Sequence, residues 1–154
     1  MRTKIGLSSF VTCLAVLMTV LASTALTAQA PEMKLEALLI WGTNEQKSPD
    51  PNHKPVGPKL KAKLQELPLK WTNYFEVKRL KFNVPESGSK RVVLSDKCEL
   101  EVKNLGQSKI EVTHFGNSKR TGTRTQALPK DETLILGGNA PGATSWLAVI
   151  RHAE

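Results

Sequence analysis

Metal-binding and catalytic motifs are missing from this chain, and cysteine and aromatic residues are scarce. It has 154 residues, of which only two are cysteines, one is a tyrosine and three are histidines. The histidines, His53, His114 and His152, belong to no H-x-x-x-H or H-E-x-x-H pattern, and no C-x-x-C is present. A metal site would need residues brought together from distant segments. We therefore expect neither a metal nor another cofactor.

Disulfides and N-linked glycans are also not indicated. If the N-terminal segment containing Cys13 is removed, Cys98 is the one remaining cysteine, so it cannot form an internal disulfide. The alternating pattern around Cys98 predicts that it is buried. No Asn-x-Ser/Thr triplet occurs, which favours a bacterial envelope or periplasmic setting.

The N-terminus has the three-part pattern of a secretory signal peptide. Arg2 and Lys4 precede an apolar run at residues 5–21, and small residues follow it. We predict a signal peptide over residues 1–30, cleaved after Ala25 or Ala30, and one domain over residues 31–154. A retained N-terminal membrane anchor is the alternative, since the apolar run is close to the length of a membrane span. The expected location is secreted, periplasmic or extracellular.

The predicted mature domain is basic. Without Arg2 and Lys4, 20 of the 22 basic residues remain against 14 acidic ones, a net charge of +6. Such a charge attracts anionic lipids and polysaccharides. We expect no nucleic acid, because export separates the protein from it and no row of aromatics accompanies the basic residues.

Short alternating segments predict an all-β fold, an antiparallel β-sandwich of about eight strands and immunoglobulin-like size. One short helix is predicted at residues 59–67, where Leu60, Leu64 and Leu67 fall on one face and prolines flank the segment. We expect this helix to cover an open end of the two sheets. The proline-rich segment at residues 43–57 is predicted to be a surface loop. The strands are predicted at residues 33–42, 74–84, 90–95, 98–104, 110–115, 119–128, 133–136 and 146–150.

Two details of strand pairing follow from the pattern of apolar residues. The apolar phase flips across Lys78 and Arg79, which predicts a β-bulge there. In the hairpin of segments 98–104 and 110–115, the register that places Lys103 opposite Glu111 brings opposite charges together. This register also places Val102 opposite Val112 and Leu100 opposite His114.

The inward phases of six strands predict one continuous core between the sheets. Residues 137–142 are read as a break after the seventh strand, and segment 146–150, apolar on both faces, as a central strand. The predicted core consists of Leu39, Trp41, Phe82, Leu100, Val102, Val112, Leu134, Leu136, Trp146 and Ala148.

As a whole the chain resembles small secreted bacterial β-sandwich proteins. Residues 131–138 are also similar to a strand-then-Gly-Gly segment of outer-membrane secretins, but the match is too short to imply a pore. Neither resemblance implies an activity.

Three functions are compatible with the sequence. The first is a non-enzymatic protein that binds or scaffolds an envelope or extracellular partner, through strand pairing along the threonine-rich edge segment 119–128. The second is a basic protein that binds a polyanion or anionic lipid. The third is a hydrolase with Cys98 as nucleophile and His114 as base, which we consider the least favoured because a buried thiol beside a histidine is common in sheet cores. The residues predicted for the partner or polyanion surface are Lys59, Lys61, Lys63, Lys119, Arg120 and Arg124. Simple alternation along segment 119–128 places its threonines on one face and both arginines on the other.

Overall fold

The chain folds into two antiparallel sheets that pack face to face. The structure, a computed structural model, describes residues 31–140 and 142–154, the side chain of residue 139 excepted. The predicted signal peptide, with both cleavage positions and Cys13, lies outside the described residues. The strands are β1 (Glu32–Thr43), β2 (Lys54–Pro55), β3 (Asn73–Pro85), β4 (Ser89–Ser95), β5 (Cys98–Asn104), β6 (Lys109–Gly116), β7 (Lys119–Ala127), β8 (Thr133–Ala140) and β9 (Thr144–His152), and the helix is α1 (Pro58–Gln65).

This arrangement confirms the predicted all-β sandwich. One sheet has the strand order β2-β3-β1-β9-β8 and the other the order β4-β5-β6-β7. The described residues form nine strands rather than eight, because Lys54 and Pro55 of the proline-rich loop pair with Glu76 and Phe75. As predicted, the last strand is internal, since β9 lies between β1 and β8.

The predicted bulge in β3 is present, one residue before the expected place. Leu39 of β1 faces Lys78, but Ile40 faces Glu76, so Val77 is the extra residue. The two phenylalanines of β3 lie on either side of the bulge. Phe75 pairs with Trp41 of β1, and Phe82 pairs with Leu35. Trp41 and Leu35 are an even number of residues apart on β1, so the bulge keeps both phenylalanines on one face.

The register predicted for β5 and β6 is confirmed. Lys103 lies opposite Glu111, Val102 opposite Val112, and Leu100 opposite His114. Opposite charges therefore face each other on the outer side and apolar residues on the inner side, which stabilises this register over a shift by two residues.

The core between the sheets contains most of the residues predicted for it. Leu39, Phe82, Leu100, Val102, Val112, Leu134 and Ala148 are buried there, and Leu136 and Trp146 are partly buried against them. Trp41 is the exception. It is only half-buried and belongs to neither hydrophobic cluster, since it lies at the end of the sheet beyond the main core.

The prediction of a single core is wrong, because the five-stranded sheet is buried on its outer face as well. Leu38 and Ile40 of β1 pack there against Leu60 and Leu64 of α1 in a second cluster. Helix α1 thus covers the outer face of this sheet rather than an open end of the sandwich. Leu67, expected on the helix stripe, follows the end of α1 and is 37 % exposed.

Gly137 and Gly138 do not end the seventh predicted strand, which continues as β8 to Ala140. They pair with Leu147 and Trp146 of β9. A Cβ atom on Gly138 would lie 2.3 Å from Cζ2 of Trp146, and one on Gly137 would lie 2.9 Å from a methyl carbon of Leu147. The glycines provide room for these two side chains, and the predicted break at residues 137–142 is wrong for the residues of β8.

Candidate functional site

Strand β7 is the open edge that was predicted from its composition. It is the last strand of the four-stranded sheet and pairs with β6 on one side. Eight of its nine residues are exposed, and Gln126 is half-buried. A tight turn at Asn117 and Ser118, both with positive φ, connects β6 to β7. The backbone donors and acceptors on the free side of β7 are therefore available to another strand.

A bulge at Thr121 changes the predicted distribution of charge on β7. His114 of β6 faces Gly122, whereas Phe115 faces Arg120, so Thr121 is the extra residue. Its hydroxyl donates to the carbonyl oxygen of His114 (3.1 Å). The expectation that Arg120 and Arg124 share a face is therefore wrong, because the bulge reverses the side-chain alternation between them.

The two arginines lie on opposite faces of the sheet. Arg120 is on the outer face, where its guanidinium donates to the hydroxyl of Thr123 (2.7 Å). Arg124 pairs with Val112, whose side chain is in the core between the sheets, so Arg124 lies at the margin of the inner face. A strand added beside β7 would meet a cation on each face.

The cations of β7 are not neutralised by neighbouring carboxylates. None of the ion pairs between described residues involves Lys119, Arg120 or Arg124. On the same sheet, Glu99 is already paired with Arg91 (2.8 Å), whose guanidinium also lies over the ring of Phe115. The edge therefore keeps its positive charge.

The predicted lysines of the helix belong to a different part of the molecule. Lys59, Lys61 and Lys63 are on α1, over the five-stranded sheet. Lys63 Nζ donates to the carbonyl oxygen of Asp131 (2.5 Å), and Lys59 Nζ lies 3.7 Å from the carboxylate of Glu154. The six predicted basic residues thus form two separate groups, one on α1 and one on β7.

The groove beside α1 has balanced charge. It has a volume of about 850 Å³ and is lined by Lys59 and Lys63 together with the chain segments at one end of the sandwich. Five lysine or arginine residues and five carboxylate residues line it. Their fields largely cancel, so the groove offers little attraction for a polyanion.

Cys98 and His114, the residues of the hydrolase hypothesis, do lie together. Cys98 Sγ is 3.7 Å from His114 Nε2, and Nδ1 of the same ring contacts the hydroxyl of Thr121. The imidazole stacks on the indole of Trp146, with 4.8 Å between the ring centroids. The thiol is buried.

The surroundings keep both groups of this pair neutral. Burial, and to a smaller extent the charge of Glu99, raise the pKa of the Cys98 thiol to about 11. Burial also lowers the pKa of His114 below its usual value. A catalytic cysteine needs the opposite arrangement, in which an adjacent cation stabilises the thiolate.

A cluster of ion pairs around Glu36 was not found from the sequence. Glu36 of β1 is 1 % exposed, and its carboxylate lies between Arg151 of β9 (2.6 Å) and Arg79 of β3 (3.2 Å). Arg79 also binds Glu76 (2.6 Å), which lowers the pKa of Glu76. These partners are far apart in sequence, and no local pattern links them. Because they cross-link three adjacent strands on one face, we assign them a structural role.

The remaining histidines are bound within the fold. His53 Nδ1 lies 2.6 Å from the hydroxyl of Ser48, and His152 Nε2 lies 2.7 Å from the carbonyl oxygen of Leu128. Among the described residues, no group of three or more histidine, cysteine or acidic side chains could hold a metal ion. In the same part of the chain, no helix is long and apolar enough to cross a membrane.

Comparison with protein-family models gives no match, and searches of curated proteins and of solved structures give none either.

Proposed function

We propose that this protein is an exported, non-enzymatic β-sandwich that binds an envelope or extracellular partner by accepting a strand at β7. One observation carries the proposal. β7 is a nearly fully exposed edge strand with three cations that have no ion-pair partner among the described residues. Export rests on the N-terminal sequence pattern.

The charge of β7 favours an acidic partner strand. In strand addition, backbone hydrogen bonds supply affinity, and side chains along the edge select the partner. Cations on an edge strand discourage pairing with a second basic strand, but they attract carboxylates. Because Arg120 and Arg124 lie on opposite faces, the partner needs acidic residues on both of its faces.

The bulge sets the length of the pairing surface. From Gly122 to Ala127, β7 pairs with β6 in unbroken register, and the bulge at Thr121 interrupts the regular edge. A partner strand of about six residues fits this stretch, which is an ordinary strand length.

The absence of catalysis is part of the proposal. Cys98 and His114 are both held neutral, since burial raises the pKa of the thiol and lowers that of the imidazole. A neutral thiol is a poor nucleophile, and the burial of Cys98 together with the stacking of His114 on Trp146 supports a place in the core.

The test is a pull-down from envelope extract with the Arg120→Ala/Arg124→Ala variant. We expect the variant to lose the partners that the unchanged protein retains. The matched control is Lys34→Ala/Lys70→Ala, which removes two exposed lysines outside the four-stranded sheet and thus the same charge. If the double arginine variant retains the same partners as the control, β7 is not the binding surface.

A polyanion or anionic-lipid binder is the second candidate, favoured by the net charge of +6 of residues 31–154. Because the basic residues fall into two groups, this function would be diffuse. Retention on heparin or anionic vesicles would then decrease by similar amounts in the Lys59/Lys61/Lys63 and the Lys119/Arg120/Arg124 triple alanine variants, and would persist at physiological salt. Retention that is lost below physiological salt would eliminate this candidate.

A further inference from the structure

Strand β8 is a second open edge, and its chemistry is the opposite of that of β7. It ends the five-stranded sheet and pairs with β9 in unbroken register from Thr133 to Ala140. Its sequence, TLILGGNA, contains neither a charged residue nor a proline. Ile135 and Leu136 are only partly buried, on opposite faces of the sheet.

The other free edges of the described sheets all have features that hinder pairing with the same edge of a second copy. β3, which β2 covers over two residues only, has its bulge at Val77 and the cations Lys78, Arg79 and Lys81. β4 has an extra residue, Leu94, in its pairing with β5, and it includes Lys90 and Arg91. β7 has the bulge at Thr121 and three cations. Natural proteins use such bulges and charges to prevent edge-to-edge association, and β8 has neither.

We infer that β8 pairs with β8 of a second copy of this chain, around a two-fold axis at Leu136. In this antiparallel register, Leu136 lies opposite Leu136 of the other copy. Ile135 then faces Gly137, and Leu134 faces Gly138. Leu134 and Ile135 of one strand thus meet glycines of the other, the two Leu136 side chains meet each other, and no like charges meet.

The same register continues the packing of each subunit. Leu134, Leu136 and Gly138 alternate on the inner face, where Trp146 covers Gly138. Leu134 of the second copy would therefore reach the edge of the Trp146 indole, and the exposed parts of Ile135 and Leu136 would be covered. The contact is isologous, so it closes at a dimer and joins the two five-stranded sheets into one.

A charged partner is less suited to this edge, because β8 has no group to pair with its charge. The inference is independent of the proposed function, since β8 and β7 belong to different sheets. Loss of one interaction would leave the other unchanged.

The first measurement is the mass of the unchanged protein by analytical ultracentrifugation. One pair of strands is a small interface, so we expect the mass to rise from monomer toward dimer between about 1 µM and about 1 mM. A monomer throughout this range would overturn the inference.

The second measurement tests the register by oxidative cross-linking in a Cys13→Ala/Cys98→Ala background. Leu136→Cys should form an intermolecular disulfide, because directly opposed Cβ atoms are about 4.5–5.5 Å apart. Thr133→Cys is the matched control on the same strand. In the proposed register, Thr133 of one copy lies opposite residue 139 of the other. The two Thr133 positions are therefore six residues, or about 20 Å, apart along the strands, and Thr133→Cys should not cross-link.

The two readouts together leave no ambiguous case. A dimer in which Leu136→Cys cross-links no faster than Thr133→Cys uses another surface, which overturns the inference. If the folded fraction of Leu136→Cys is too low to test, the ultracentrifugation of the unchanged protein still decides.

Discussion

Glu36 and Arg151 form an ion pair inside the fold, with Oε1 of Glu36 2.6 Å from both Nε and Nη2 of Arg151. Glu36 is 1 % exposed, and Arg79 approaches the same carboxylate from the other neighbouring strand. A buried carboxylate depends on such partners, because an unpaired charge in the interior is costly.

Replacing Glu36→Gln should therefore destabilise the protein. Removal of one partner from a buried pair leaves the other without compensation, and we expect a loss of about 3 kcal/mol in the free energy of unfolding, the low end of the usual range because Arg79 is partly exposed. Denaturant unfolding measures this. The control is Glu99→Gln in the exposed pair with Arg91, which should cost at most about 1 kcal/mol. Equal costs for the two variants would contradict the structural role of Glu36.

The contact between Gly138 and Trp146 predicts a second stability difference. Gly138→Ala places a methyl group 2.3 Å from the indole, so the tryptophan must move, at a cost of about 1–3 kcal/mol. Gly122→Ala in β7 is the matched control, because its Cβ would meet nothing within 4 Å. The control should change the free energy of unfolding by no more than about 0.5 kcal/mol. If Gly138→Ala left the free energy of unfolding unchanged, Trp146 would not lie over this part of the backbone.

Cys98 should make stability fall at alkaline pH. The thiol has a pKa of about 11 in the folded protein, against 9.0 as its ordinary value. Between these values the unfolded chain loses the thiol proton and the folded chain keeps it, so stability decreases as pH rises from about 9 to 11, by up to about 2–3 kcal/mol. Denaturant unfolding at pH 8 and pH 10.5 measures the effect. In Cys98→Ala the decrease between these two pH values should be smaller by about 2 kcal/mol, and an identical decrease would contradict the assignment.

The same thiol should react slowly in the native state. A pKa of about 11, against 9.0 as the ordinary value, leaves roughly 100-fold less thiolate at pH 7 than an ordinary cysteine has, before steric protection of the buried sulfur is considered. We expect Cys98 to react with a thiol reagent at least that much more slowly than a cysteine introduced at exposed Val93 in a Cys98→Ala background. Fast labelling of Cys98 would instead support the hydrolase.

Local patterns in the sequence were sufficient to predict eight of the nine strands of the described residues and one register. Alternation from Cys98 to Asn104 and the charges of Lys103 and Glu111 determine the β5–β6 pairing, and both are visible in the sequence. The position of α1 was not predictable in this way, since its leucine stripe indicates a buried face but not the surface that it covers. Leu38 and Ile40 carried that information, because a strand buried on both faces needs a second layer.

The candidate site was also predictable only where local sequence determines the structure. The composition of residues 119–128 indicated an edge strand, and β7 is one. The bulge at Thr121, which separates Arg120 from Arg124, depends on pairing with β6 and has no signal in β7 alone. The ion pairs of Glu36 likewise depend on which strands become neighbours.

Hydrogen exchange of the β7 backbone amides tests the central claim most directly. The probe is an eight-residue peptide of glutamate, valine and threonine with blocked termini, and the control peptide has lysine in place of each glutamate. We predict that the acidic peptide slows exchange between Gly122 and Ala127, that the lysine peptide does not, and that Arg120→Ala/Arg124→Ala abolishes the protection. Unchanged exchange in β7 at saturating acidic peptide, or equal protection by both peptides, would contradict the proposal that this edge receives an acidic strand.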